Sequence, residues 1–419
     1  MLESLRNAVK IEELRNKLLF TVLMLLVFRI GAHIPVPGVN AKVFAELIGS
    51  GALFGFFDVI SGGAFKNFSI FAMSITPYIN ASIIMQLLTV VIPHLERLAK
   101  EGEEGRKKIT QYTRYLTVVL AFVQAIGMGF ALKNAFLRPA LDQYLLVALT
   151  LTAGTAFLMW IGEQITEKGI GNGISLLIFA GIVSRVPAGA VRALEYMQAR
   201  TINIFSIILL LVIGGAVIAS IVLVHEGQRR IPVQYAKRVV GRRVYGGQST
   251  HLPLRVNQAG VIPIIFASSI LMFPQQIASW FFGGRLADWY ITYFGWGSAS
   301  HTFIYALLVV GFTYFYTAVI MNPVDIADNI KKYGGFIPGI RPGRPTAEYI
   351  TRVMSRITLA GAVFLALIAI LPNFVLLATR IPDIYFGGTA LLIVVGVALD
   401  TMKQVESHML LRSYQGFIK

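Results

Sequence analysis

Pro77-Tyr78-Ile79-Asn80-Ala81-Ser82 returns later in the chain as Pro263-Ile264-Ile265-Phe266-Ala267-Ser268, and both read P-x-I-x-A-S. A second pair follows the same spacing. Gly173-Ile174-Ser175-Leu176-Leu177-Ile178 is matched by Gly388-Thr389-Ala390-Leu391-Leu392-Ile393, both G-x-x-L-L-I. The first pair lies in the apolar stretches 68–92 and 259–282, the second in 170–186 and 384–402. Counted along the chain, each pair is five apolar stretches apart. If the stretches cross a membrane, an odd offset makes the second half run through it in the opposite sense. That is an inverted-topology repeat, a plan shared by many transport proteins.

Ten apolar stretches fill the chain: 18–34, 68–92, 116–132, 144–161, 170–186, 204–224, 259–282, 303–321, 357–377 and 384–402. Most reach the ~17–25 residues that a helix needs to cross a bilayer. They are too long and too continuously apolar for barrel strands, which alternate in ~10-residue segments. The stretch 170–186 is short and broken by glycine. Composition agrees: hydrophobic residues make up 56% of 419, charged residues 14%, and the mean hydropathy is +0.68. Soluble domains hold ~45–50% apolar and ~25% charged residues. An ordinary soluble enzyme is excluded, and so is disorder, which needs low hydrophobicity. Glu3, Glu12 and Glu13 lie among the basic residues of the N-terminus, and no small-residue cleavage site follows the first apolar run. That run is therefore expected to be a retained span.

The net charge is +16, from 37 Lys+Arg against 21 Asp+Glu. In a soluble protein this would suggest a nucleic-acid partner; in a membrane protein it reflects basic loops on the cytoplasmic face. With the N-terminus inside, most of the 37 basic residues fall on inner segments. The expected layout is a cytoplasmic N-terminus 1–17, a first half 18–186, an outer connection 187–203, a second half 204–402 and a cytoplasmic tail 403–419. The inner loops 93–115, 225–258 and 322–356 are long and polar. Alternation at 231–235 and 252–256, with Gly246-Gly247 between, predicts a small β-hairpin. Pro338-Gly339-Ile340-Arg341-Pro342-Gly343-Arg344-Pro345 is too punctuated to be a helix. Such loops are either a solvated basic face or a docking platform for an acidic or ribonucleoprotein partner.

Chemistry is sparse. Arg29, Arg185 and Asp400 are the charges within or at the edge of the apolar stretches, and no carboxylate falls near mid-membrane. That argues against a proton-driven pump, which buries ionisable groups on its pathway. Arg29 is read as snorkelling or bridging a helix end. There is no phosphate-binding glycine motif; Gly169-Ile170-Gly171-Asn172-Gly173 has the wrong spacing and instead tightens the start of the fifth stretch, with Asn172 near its cap. The histidines at 33, 94, 225, 251, 301 and 408 are scattered, there is no cysteine, and no metal site, cofactor or catalytic set is expected. The isoleucines Ile79, Ile178, Ile265 and Ile393 of the repeat are either packing residues or an apolar constriction where the halves meet. Residues 51–63, Gly51-Ala52-Leu53-Phe54-Gly55-Phe56-Phe57-Asp58-Val59-Ile60-Ser61-Gly62-Gly63, are apolar but too short to cross. They are expected to be a re-entrant or interfacial piece buried in protein that could stop such a constriction. A protein-conducting channel is the leading reading; a small-solute secondary transporter shares the repeats, and an intramembrane enzyme lacks its residues.

Phe28-Arg29-Ile30-Gly31 with Ile34-Pro35-Val36-Pro37-Gly38, Ser69-Ile70-Phe71-Ala72, the GIGNG turn running into Ile174-Ser175, Gln228-Arg229-Arg230-Ile231, Gly241-Arg242-Arg243-Val244-Tyr245, Ser249-Thr250-His251-Leu252-Pro253-Leu254 and Pro338-Gly339-Ile340-Arg341-Pro342-Gly343 occur in one order. By these stretches the chain resembles the SecY family, the channel subunits of Sec protein translocons, over essentially its whole length. The resemblance implies an all-α integral membrane protein of ten transmembrane helices in two inverted five-helix halves. It implies a pore ring at Ile75, Ile79, Ile174, Ile178, Ile265 and Ile393, and a plug at 53–65 that includes Phe54, Phe57, Ser61, Gly62 and Gly63. It places a lateral gate at Gln86, Gln124 and Asn257, between spans 2–3 and 7–8. Partner docking falls on Arg242, Arg243 and Arg341. The implied partners are the small subunits SecE and SecG, the SecA motor, the ribosome, preprotein signal sequences and membrane lipids, with no direct DNA binding. The implied place is the cytoplasmic membrane with both termini inside, and the energy comes from SecA or the ribosome.

Overall fold

The computed structural model describes residues 11–39, 58, 61–131, 136, 140–199, 203–235, 238–240, 243–245, 249–281, 293–295, 298–379 and 388–416. The first half contains α1 (Glu12–Gly31), α2 (Thr76–Val91), α3 (Pro93–Lys100), α4 (Glu103–Ala131), α5 (Leu141–Lys168) and α6 (Gly173–Val183). After the connecting α7 (Val186–Gln198) comes α8 (Ile204–Glu226), followed by four strands: β1 (Gln228–Tyr235), β2 (Arg238–Val240), β3 (Arg243–Tyr245) and β4 (Ser249–Arg255). The second half continues with α9 (Ile262–Phe281), α10 (Ala299–Ile320), α11 (Pro323–Lys332), β5 (Gly335–Phe336), α12 (Arg344–Thr379) and α13 (Gly388–Gly416).

Each of the ten apolar stretches carries a helix: α1, α2, α4, α5 and α6, then α8, α9, α10, α12 and α13. Among the described residues, six helices are long and apolar enough to cross a membrane, or up to seven if the α2–α3 pair is one span. α8 shows why lipid must surround them. Only 11% of its most apolar window is buried, and Leu211, Val212 and Leu223 are exposed. Apolar surface of that extent has no soluble counterpart and is satisfied by acyl chains.

Two expected boundaries are corrected. The stretch 68–92 is helical only from Thr76. Residues 62–75 fold as successive turns, most of them buried, with Lys66 and Asn67 exposed. Phe68 and Ser74 take φ of 41° and 51°, backbone that no right-handed helix accommodates. Pro77 then starts the helix in its first turn, where no donor is lost. At the other end Ile92 is extended before Pro93, and the chain bends by 99° into α3. α3 presses Leu95 and Leu98 against the end of α2 at Met85. The second correction is in 338–345. Its turns end at Gly343, and Arg344-Pro345 already belong to α12, again with proline in the first turn.

The repeat is also a packing repeat. In the first half α4 packs on α5, α2 on α4, α5 on α6 and α1 on α5. In the second half α10 packs on α12, α9 on α10, α12 on α13 and α8 on α12, the same neighbours in the same order. The halves meet along α2–α9 and α4–α9 on one side and α6–α13 on the other. One apolar core runs through both, from Phe28, Ile75 and Ile79 to Ile264, Leu365 and Ile393.

Candidate functional site: a constriction, its stopper and a seam

The repeated motifs sit at helix starts. Pro77 and Pro263 are each the second residue of their helix, so Ile79 and Ile265 are each the fourth. Gly173 and Gly388 open α6 and α13, which makes Ile178 and Ile393 equivalent in the same way. These four isoleucines line one cavity of about 30 Å³, together with Tyr305, Ser268, Thr76 and Thr389. A space of that size holds a few waters at most. No polypeptide fits, so the conformation is closed. The walls are mostly branched and apolar, with the hydroxyl side chains of Thr76, Ser268, Tyr305 and Thr389 among them, and offer ions little in exchange for their hydration shells. Ile75 and Ile174 do not line the cavity. Ile75 is fully buried beside it, and Ile174 packs on the same core with its Cδ1 over Gly162. A Cβ at Gly162 would stand only 2.5 Å from that methyl, so glycine is what lets α5 and the start of α6 approach. Asn172 caps α6 as expected, its side chain accepting from Ser175 N–H at 3.1 Å.

Of the stopper, Phe54 and Phe57 lie outside the described residues. Ser61, Gly62 and Gly63 are placed against the end of α6. Ser61 is fully buried, its hydroxyl accepting from Phe65 N–H at 3.0 Å and donating to the Asp58 carbonyl at 3.2 Å. Gly62 and Gly63 have φ of 66° and 90°, and a Cβ on Gly62 would come within 2.8 Å of Gly181 Cα. Arg29 does not snorkel. Its Nη1 donates to the Gly62 carbonyl at 2.7 Å and to Ser184 Oγ at 3.0 Å. Arg185 forms an ion pair with Asp58, whose other oxygen accepts from Lys66 N–H at 2.9 Å. Sequence reading passed over Asp58 and Ser184. The available signal was a lone carboxylate in an apolar loop and two arginines bordering apolar stretches.

The three polar residues expected at a lateral gate lie on or next to α2, α4 and α9, the helices through which the halves meet on one side. Gln86 on α2 meets Tyr316 on α10 side chain to side chain. Gln124 on α4 and Asn257 ahead of α9 are buried, and among the described residues the Gln124 Nε2 donor and Asn257 Oδ1 acceptor have no hydrogen-bond partner. Native proteins keep few such groups, each at a cost of about 1–3 kcal/mol. Gln124 lies on α4 and Asn257 ahead of α9, and α4–α9 is one of the contacts between the halves. At the end of α3, Lys100 is held above the usual lysine range by its hydrogen bond to Glu96, with Asp325 of α11 adding to the effect.

The expected hairpin forms from β1 and β4, antiparallel from Gln228↔Arg255 to Gln234↔Ser249. Gly246 and Gly247 lie outside the described residues, and β2 pairs with β3 ahead of them. The third strand is unexpected. β5, from the other loop, pairs with β1 at Gln234↔Phe336 and Tyr235↔Gly335. Ile231, Val233 and Leu254 then share a small core with Ile330, Ile337, Ile350 and Met354. The two loops are thus one body, with Arg229, Arg230, Lys331, Lys332 and Arg341 exposed on it. Arg242 is outside the described residues, and Arg243 is placed in β3 by its backbone.

The model of the SecY family matches residues 69–402. The chain belongs to the SecY family. Protein translocase subunit SecY of Halalkalibacterium halodurans is 52% identical, covering 100% of both chains. That of Thermotoga maritima is 49% identical, covering 100% of this chain and 98% of its own. That of Escherichia coli K12 is 50% identical, covering 97% and 94%. Among solved structures, one described as "The structure of a protein conducting channel" superposes with a TM-score of 0.67 at 20% identity, over 94% of this chain and 92% of that one. Another, concerned with the plug domain of a SecY protein and its closed state, gives 0.69 at 21% over the same shares. The fold is that of these channels, in two inverted halves. As a SecY family member the chain is a protein translocase subunit, a multi-pass protein of the cell membrane and not an enzyme. The small-solute transporter reading falls away.

Proposed function

We propose that preproteins cross the membrane through the constriction at Ile79, Ile178, Ile265 and Ile393, with Ile75 and Ile174 completing the ring when the halves part. One observation carries this reading: equivalent positions of both repeats converge on a single apolar cavity. The segment around 61–65 serves as the plug over that constriction. The seam of α2 and α4 against α9 and α10, with Gln86, Gln124 and Asn257, is the lateral gate. A signal sequence is apolar and wedges the seam from the lipid side. A polar chain then passes through the ring, while an apolar segment leaves sideways, driven by about 25 cal/mol per Å² of apolar area removed from water.

The chain carries no nucleotide motif, so the driving energy comes from a partner, SecA or the translating ribosome. The platform of β1, β4 and β5 with Arg242, Arg243 and Arg341 receives it. The small subunits SecE and SecG complete the complex. Both termini lie in the cytoplasm, with the basic loops. A structural neighbour of the same fold is a channel in a canine ribosome–channel complex from the endoplasmic reticulum, which supports a ribosome as one docking partner.

The test is a photo-crosslinker placed in turn at Ile79, Ile178, Ile265 and Ile393, with a secretory precursor stalled by a folded domain at its trailing end. Crosslinks from all four sites to the stalled chain are expected. If the precursor stalls but reacts only with other faces of the helices, the isoleucines are packing residues and the pore lies elsewhere.

A further inference from the structure

Among the described residues, the arginine ties that hold Asp58 and Gly62 come from their own half of the molecule. Arg29 ends α1, while Ser184 and Arg185 lie between α6 and α7. Arg29 grips the Gly62 carbonyl and Ser184 Oγ together, and Arg185 grips Asp58. Asp58 in turn organises the segment, taking Lys66 N–H on its free oxygen and Gly63 N–H on its carbonyl at 2.9 Å. Its side chain is 4% exposed and that of Arg185 is 23% exposed, so the pair stands in a medium where an unpartnered carboxylate is costly. Beneath these ties Ala64 is fully buried in the core that contains Ile79 and Ile178. None of these ties involves α9, α10 or α13. Parting the seam along α2–α9 and α4–α9 therefore breaks none of them.

We propose that Asp58, Arg185 and Arg29 are a charged latch that makes release of the plug a separate step from opening of the seam. The seam can part around a signal sequence while the plug stays latched to its own half, keeping ions out until the passing chain displaces it. This rests on reading the segment as the plug. Arg29 and Arg185 act here as positioning residues: they fix where the segment sits and have no part in the path itself.

The experiment uses the full chain with its small subunits in vesicles. The chain has no native cysteine, so Ala64→Cys is a single reporter, probed by a membrane-impermeant maleimide from the outer side. Spin labels at Val90 on α2 and Ile270 on α9 report the seam. In Arg185→Gln and Asp58→Asn, Ala64→Cys is expected to react about tenfold faster at rest, the effect of ~1.4 kcal/mol, with the label separation unchanged. The exchanged pair, Asp58→Arg with Arg185→Asp, and the charge-keeping Arg185→Lys should return the rate toward that of the parent. Recovery in these variants separates loss of the latch from misfolding. A rate unchanged in the single variants, or a seam that parts with them, overturns the latch. If a stalled precursor exposes Ala64→Cys in the parent protein, the plug reading stands regardless of that result. If Ala64→Cys stays protected even then, the plug reading fails and the latch with it.

Discussion

At the scale of residues, the proposed barrier rests on the isoleucines. Their constriction is narrow because branched chains from both halves fill it, leaving about 30 Å³. Replacing Ile79 and Ile265 together with glycine removes two facing side chains, and the cavity then admits continuous water. Ion conductance of reconstituted channels at rest should rise severalfold; conductance equal to that of the parent would show that the seal lies elsewhere. These positions were legible in the sequence because they recur at fixed offsets from proline and glycine. The partnership of Asp58 with Arg185 was not. A charge in an apolar run announces that a partner exists, but the partner here is over a hundred residues away and chosen by tertiary packing. Tyr305 was missed for another reason: an aromatic in a span reads as bulk, and only its place on the cavity wall distinguishes it.

At the scale of elements, hydropathy found every span and misjudged one. The stretch 68–92 is uniformly apolar, but turns at Phe68 and Ser74 take up its first third before α2 begins. Burial in protein satisfies those turns as well as a helix would, so composition cannot tell them apart. The hairpin was legible from its alternation. The two-residue β5 was not, since its strand character comes only from pairing with β1. That pairing presents the basic loops as one surface. Replacing Arg242 and Arg341 with glutamate should weaken partner-driven preprotein transport by roughly tenfold or more while the chain still inserts in the membrane. The strong ionic-strength dependence typical of basic surfaces docking on phosphate should weaken with it. Transport at the parental rate would remove these arginines from the docking site.

At the scale of the whole molecule, the inverted repeat was the most legible feature, because its motifs mark helix starts and the same helix neighbours recur in each half. Which interface opens was not legible from the repeat. Among the described residues, Gln124 Nε2 on α4 and Asn257 Oδ1 ahead of α9 are an orphan donor and an orphan acceptor. Gln124→Leu removes one such group at nearly constant volume. The closed form should gain on the order of 1–3 kcal/mol, the cost of an unpaired buried polar group. Thermal unfolding of the purified complex should shift upward, and precursors with weakly apolar signal sequences should be transported less well. A lower melting temperature would mean that Gln124 finds a partner in the closed state.

The strand β5 makes the two cytoplasmic loops a yoke. α8 and α9 rise from one of its arms, α10 and α12 from the other, and the crossbar is the β1–β5 pairing. A torque applied anywhere on the crossbar is shared among four helices of the second half, whereas α13 stands outside the harness. A motor that seats on the yoke would need no grip on the proposed gate itself, because a tilt of the crossbar would bear on α9 and α10 together. Cutting the crossbar, rather than removing either arm, is what would leave a motor bound and turning nothing.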